Sequence, residues 1–295
     1  MTRHFLTLRD ISAEEINRLL TLAIDLKAKQ KKGVSQRFLD GKSVGLIFEK
    51  PSNRTRVSFE VGVTQLGGHP ITIQGSEIKM GERETVADVA RTMSRYVDAV
   101  AIRAFSHETV AEFAAFSSVP VINGLTDLYH PCQALADVLT IKEKLGALSG
   151  LRICYIGDGN NVCRSLILAG SLLGFTVIVS CPHGYRPEAE LPYEYVEDPV
   201  VAAKSADVIY TDVWTSMGQE EESAIRKRDF AAYTVTSTIM ANAKPTVLFM
   251  HCLPAHRGEE VSEEVFESPS SVVFDQAENR LHAQKAVLVN LIGKQ

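Results

Sequence analysis

Short apolar runs alternate with apolar positions at helical spacing along almost the whole chain. Val44 to Phe48, Ile71 to Gln74, Ala99 to Arg103 and Val119 to Ile122 read as strands in the first half. Unbroken apolar runs of this length suit strands of a parallel sheet, which are buried on both faces. Between them lie helix patterns. Ile16, Leu19, Leu20, Ala23, Ile24 and Leu26 share one face, opened by a capping pair, Ser12 and Glu15, and closed by Gly33. Phe59, Val63 and Leu66 mark a second helix, Thr85 to Tyr96 a third and Ser106 to Phe116 a fourth. Pro131 suits the first position of a fifth, which runs to about Leu145.

The same alternation restarts at Gly150. Leu151 to Ile156, Phe175 to Val179, Val208 to Thr211, Val247 to Met250 and Val272 to Phe274 are strand candidates, and Val162 to Leu173 is a helix closed by Gly174. Pro182 to Pro199 reads as mostly irregular connection with room for a short helix, and Ala277 to Leu291 as a long last helix. The repeated order predicts an α/β chain whose parallel sheets are covered on both faces.

Composition changes this picture little. The chain has 295 residues, enough for two domains, with 45% hydrophobic and 23% charged residues. A net charge of -5 argues against a nucleic-acid partner, and no apolar run is long enough to span a membrane. Cys132, Cys154, Cys163, Cys181 and Cys252 are odd in number and form no C-x-x-C pair, so free thiols are expected. With no targeting signal evident at its start, the chain reads as cytoplasmic.

Candidate chemistry gathers where strands end, as parallel sheets require. Ser52, Asn53, Arg54, Thr55 and Arg56 follow the first strand and open a helix. Free N–H groups of a first helical turn and arginine forks suit an anion; a capped helix with two solvated arginines is the plainer alternative. Arg103 ends the third strand, and His130 and Gln133 sit at the next helix start. Gly157-Asp158-Gly159-Asn160-Asn161 resembles half a dinucleotide fingerprint, but Val162 replaces its third glycine and no acid ends the following strand. We therefore expect the architecture without that cofactor. Asp212 with Ser216 and Met217 follows another strand, and suits an ammonium and a carboxylate. His251, Cys252 and His256 lack the ligand spacing of zinc sites, so no metal is expected.

Taken in order, these motifs resemble the aspartate/ornithine carbamoyltransferase family over essentially the whole chain. Ser52 to Arg56, Arg103, His130-Pro131-Cys132-Gln133 and Arg280 match its carbamoyl-phosphate half. Asn161, Asp212 with Ser216-Met217-Gly218, and His251-Cys252-Leu253-Pro254 match its ornithine branch. Asn53 departs from the family, which has Thr or Gly there. The resemblance implies a carbamoyl-phosphate domain over 1–137, an ornithine domain over 138–276, an interdomain active site, and a last helix over 277–292 returning to the first domain. It implies transfer to the δ-amine of L-ornithine, giving L-citrulline, with arginine synthesis the default direction. No cofactor is implied.

The implied contacts to carbamoyl phosphate are Ser52, Asn53, Arg54, Thr55, Arg103, His130, Gln133, Cys252, Leu253 and Arg280. Ornithine would meet Asn161, Asp212, Ser216, Met217, Cys252 and Leu253. Arg54, Arg103, His130, Cys252 and Arg280 would carry the chemistry. The family also implies a homotrimer, with the loop Gly75 to Glu84 completing a neighbour's phosphate site. Putrescine or another amine remains open as acceptor, as does a non-catalytic carbamoyl-phosphate-binding homologue.

Overall fold

The structure is a computed structural model that describes residues 2–215 and 220–294. The chain forms two compact units, Met1–Leu139 with Glu278–Gln295, and Thr140–Ala277.

In the first unit the strands are β1 (Ser43–Phe48), β2 (His69–Gln74), β3 (Ala99–Arg103) and β4 (Val121–Leu125). They pair in the order β2-β1-β3-β4, every pair parallel. The helices are α1 (Ala13–Lys31), α2 (Arg54–Gln65), α3 (Gly75–Ile78), α4 (Val86–Met93), α5 (His107–Phe116) and α6 (Pro131–Leu145). Ser12 caps α1 by accepting from the Glu15 N–H. Ile47, Val100 and Ile102 of the sheet are buried in one cluster with Val89 and Ala90 of α4 and Val110 and Phe113 of α5. The register pairs Phe48 with Arg103, so β1 and β3 end side by side. The turn into α2 and Arg103 are thereby set side by side at the carboxyl ends of the two central strands.

The second unit has β5 (Arg152–Ile156), β6 (Thr176–Ser180), β7 (Glu194–Tyr195), β8 (Val208–Thr211) and β9 (Leu248–His251), in the order β7-β6-β5-β8-β9. All of these pairs are parallel. Its helices are α7 (Asn161–Leu173), α8 (Pro199–Ala202), α9 (Ser223–Asp229), α10 (Ser237–Met240) and α11 (Glu263–Phe266), and α12 (Val273–Ile292) follows. Thr211 pairs with both Ile156 and His251, which aligns three strand ends.

Three expectations differ from the structure, the first being the Gly75 to Glu84 loop, which opens with the short helix α3. Val272 to Phe274 is not a strand: Ser271 makes one bridge to Phe249, the Val272 N–H donates to the Phe249 carbonyl, and α12 starts at Val273. Three apolar residues are too few for periodicity to separate strand from helix. Pro182 to Pro199 also holds a strand where only irregular connection and a short helix are expected. It contains β7, and it ends where Asp198 caps α8, with Pro199 at its first position.

Helix α12 packs on the first unit through Glu278 and the residues after it. Lys27 Nζ donates to Asn279 Oδ1 at 2.8 Å, and Lys285 Nζ to Gln30 Oε1 at 3.2 Å and Gln65 Oε1 at 3.1 Å. A Cβ on Gly62 would lie 3.3 Å from Lys285 Cγ, so that glycine lets α12 approach α2 closely. Among the described residues no helix is long and apolar enough to cross a membrane.

Candidate active site

Two clusters of polar side chains form beyond strand ends, one on each unit. In the first unit the centre is Thr55, at the start of α2 and buried. Its Oγ1 accepts from Arg103 Nη1 at 3.3 Å and from Arg280 Nη2 at 3.2 Å. Arg280 Nη1 also donates to Gln133 Oε1, and Gln133 Nε2 donates to Asp137 Oδ1 at 2.8 Å. Four segments far apart in sequence are thus joined: the α2 start, the end of β3, the start of α6 and the first half of α12. As in any helix, the first-turn N–H groups of α2 find no partner inside the helix.

His130 is buried next to these arginines. Burial first, then the charges of Arg280 and Arg103, hold its imidazole well below the usual histidine range. An imidazole held down in this way is neutral at pH 7. Ser52 is half-buried, while Asn53 and Arg54 are exposed at the α2 start. Asn53 stands at the N-cap, yet its side chain makes no capping bond. Arg56 leans toward Glu60, 3.8 Å away on the same helix.

In the second unit the centre is Asp212, just past β8 and buried. Its Oδ2 accepts from Asn160 Nδ2 at 2.9 Å, and its Oδ1 from the Val213 N–H at 2.8 Å and from Cys252 Sγ at 2.9 Å. Asn160 is the N-cap of α7: its Oδ1 accepts from the N–H groups of Val162 and Cys163. Asn161 is the first residue of α7 and half-buried. Gly159 is required by close approach, since a Cβ there would lie 2.4 Å from Pro187 N and 2.7 Å from the Tyr185 carbonyl. The chain's own backbone thus covers the glycine that a dinucleotide turn leaves open to pyrophosphate. Ser216 and Met217 lie outside the described residues.

Cys252 is the one partly exposed cysteine of the five. Burial pushes the thiols of Cys132, Cys154 and Cys181 up to about 12 and raises that of Cys163 well above the usual thiol range, so these four are inert packing. Leu253, next to Cys252, has a left-handed backbone (φ 62°), and the Leu253–Pro254 peptide is cis. Two groups could hold a cation among the described residues. In Asp212/His251/Cys252, both His251 ring nitrogens already have hydrogen-bond partners. In His256/Glu259/Glu260, the Lys227 ammonium lies 2.7 Å from Glu259 Oε1.

Comparison with known proteins identifies the family. The carbamoyl-P binding domain of the aspartate/ornithine carbamoyltransferases matches residues 3–143, and their Asp/Orn binding domain matches 149–291. The chain belongs to the aspartate/ornithine carbamoyltransferase family. It is 51% identical over 304 aligned positions to the ornithine carbamoyltransferase of Pyrococcus abyssi, covering 99% of this chain and 96% of that one. The corresponding enzyme of Geobacter sulfurreducens is 50% identical, with 99% and 100% covered. The solved ornithine carbamoyltransferase of Pyrococcus furiosus superposes with a TM-score of 0.95 at 50% identity, over 98% of this chain and 97% of that one. Ornithine transcarbamoylase of Giardia lamblia gives 0.90 at 34% identity, with 99% and 98% covered.

Within the family frame, Thr55, Arg103, Gln133 and Arg280 touch one another, with the Arg103 and Arg280 charges acting on His130, and Asp212 touches Cys252. The structure adds Asn160, Asp137 and Glu260, which sequence reasoning did not single out. Asn160 carried a readable signal, as the helix-capping residue type directly before α7.

Proposed function

We propose that this chain transfers the carbamoyl group of carbamoyl phosphate to the δ-amine of L-ornithine, giving L-citrulline and phosphate. The observation that carries this reading is the shared acceptor: Thr55 draws two guanidinium groups, Arg103 and Arg280, to one helix start, where His130 stays neutral. This is a donor set for a phosphorylated carbonyl compound.

The phosphate is gripped by Ser52, the Asn53 backbone, Arg54 and Thr55, with Arg280 neutralising it as it leaves. Arg103 and His130 donate to the carbonyl oxygen, where negative charge grows as the tetrahedral intermediate forms. Preorganised donors aimed at that oxygen lower the barrier more than ground-state binding does. Gln133, fixed at both ends of its amide by Arg280 and Asp137, orients the carbamoyl NH2.

Ornithine binds to the second unit. Asp212, held by Asn160 and Cys252, accepts from the α-ammonium; Asn161, Ser216 and Met217 complete that end. Cys252 and the Leu253 carbonyl orient the δ-amine. That amine loses one proton before attack. Its lone pair forms the N–C bond, the C–O bond to phosphate breaks, and a second proton leaves with the phosphate. No covalent enzyme intermediate is needed.

The chain works in this reading as a cytoplasmic homotrimer in the direction of arginine synthesis, with the exposed Ser76 and Lys79 of the Gly75 to Glu84 segment offered to a neighbour. Light scattering should give three times the 32.4 kDa chain mass. The deciding assay supplies carbamoyl phosphate with ornithine, putrescine, N-acetylornithine or aspartate in turn. Citrulline from ornithine, far ahead of the other products, is expected. Preference for putrescine would move the assignment to a sibling reaction, and no turnover with any amine would overturn it.

A further inference from the structure

We infer that Glu260 is a positioning residue for the ornithine half-site, acting through His251 on the backbone of Leu253. Both Glu260 and His251 are fully buried. His251 Nε2 and Glu260 Oε1 are 3.0 Å apart, and the Leu253 N–H donates to His251 Nδ1 at 2.9 Å. A backbone N–H cannot donate to a protonated nitrogen. Nδ1 is therefore bare, Nε2 carries the proton, and the imidazole is neutral.

The carboxylate selects that tautomer. With the proton on Nδ1 instead, two N–H groups would face each other at Leu253, and a lone pair would face the Glu260 carboxylate. The same Glu260 oxygen accepts from the His256 N–H at 2.6 Å, which anchors the acid to the loop it organises. The His251 backbone is fixed independently: its N–H donates to Gln276 Oε1 at 2.9 Å, and Gln276 Nε2 donates to Tyr210 OH at 3.0 Å.

What the relay holds is a conformation that Leu253 would not adopt unaided. Its φ of 62° lies in the left-handed region, costly for a residue with a branched side chain. The His251 acceptor fixes the Leu253 N–H, and with it the direction of the Leu253 carbonyl and the neighbouring Cys252. The inference rests on the proposed function in one respect: that this carbonyl and Cys252 face the ornithine δ-amine. A carboxylate orienting a histidine that orients a reactive loop is the logic by which outer partners tune ligand residues.

The first measurement needs no substitution. A nitrogen-15 histidine spectrum of the intact protein should show His251 as the neutral Nε2–H form; the Nδ1–H form, or imidazolium at pH 7.5, overturns the relay. Kinetics then test its reach. Glu260→Leu should lower kcat/KM for ornithine about 100-fold and leave the KM for carbamoyl phosphate within about twofold. Glu260→Gln, whose amide oxygen can still accept from Nε2–H, should recover most of the loss and keep the tautomer. Unchanged ornithine kinetics in Glu260→Leu, or an equal fall for both substrates, overturns the proposal. If Glu260→Leu does not fold, the tautomer and Glu260→Gln still decide. Failure of the unaltered protein to carbamoylate ornithine would show separately, as loss of the functional reading with the spectrum intact.

Discussion

Arg280 donates to Thr55 at 3.2 Å, although the two residues are 225 positions apart in sequence. Arg103 shares the same hydroxyl, so one small side chain organises two cations. Thr55→Val keeps the shape and removes the acceptor. Losing a charge-assisted hydrogen-bond partner in a buried site costs about 1–3 kcal/mol. We expect the KM for carbamoyl phosphate to rise about tenfold or more, as each 1.4 kcal/mol is tenfold. The KM for ornithine should hold, which steady-state kinetics with each substrate varied would check.

His130 should act without titrating in the working range. Its pKa lies well below the usual value because of burial and the adjacent Arg280 and Arg103 charges. In its proposed role as a neutral donor to the carbonyl oxygen, His130 would contribute about 100- to 1000-fold in kcat, so His130→Ala should lose that much. The rise of kcat with pH should keep its position in the variant, because it reports the δ-ammonium of ornithine. A limb near pH 6.5 that disappears with His130 would contradict this assignment.

Asn160 has two tasks that substitutions can separate. Its oxygen caps α7 and its amide nitrogen holds Asp212. Asn160→Ala removes both, and should cost about 1–2 kcal/mol of stability from the cap together with a higher ornithine KM. Asn160→Asp keeps a capping oxygen but sets a carboxylate against Asp212. Denaturant midpoints should then recover while ornithine binding stays impaired.

His282 should make the protein acid-sensitive. Burial, then Lys285, lowers its pKa to about 4, with Glu278 opposing and Lys27 adding to the shift. The sign follows from linkage. Between pH 6.5 and about 4 the unfolded chain binds a proton that the folded chain refuses, so stability falls as pH falls through that window. The contribution is about 2 kcal/mol once partial solvent screening is allowed for. His282→Gln should flatten the loss between pH 6.5 and 4.5, measured by denaturant midpoints. Against the opposing effect of burial, Lys27, Lys31 and His282 shift the Glu278 carboxylate downward, and it adds a loss of its own as pH falls from about 4.5.

Much of the scaffold was readable because buried parallel strands and capped helices write local patterns. Ala99 to Arg103 shows its strand, and Pro131 its helix start, within a few residues. The site was readable only where a motif sat at a strand end. Asn160 and Asn161 are adjacent and chemically alike; the extended backbone of Asn160 (ψ -172°) decides which one caps the helix and reaches Asp212. Glu260 resembles any surface acid in a charged stretch, and only the fold shows it fully buried against His251. Contacts such as Gln133 with Arg280, 147 positions apart, belong to tertiary structure and leave no local trace.

The long separation between Thr55 and Arg280 also bears on biosynthesis. On the ribosome, β1 to β4 emerge well before the α12 arginine has been made. A nascent chain can assemble that sheet as a unit. It nevertheless lacks Arg280, and Thr55 and Gln133 go without that partner until α12 arrives. Premature release upstream of α12 would leave a chain with β1 to β9 but without the Arg280 partner of Thr55, which in the proposed mechanism is a chain unable to complete its phosphate site.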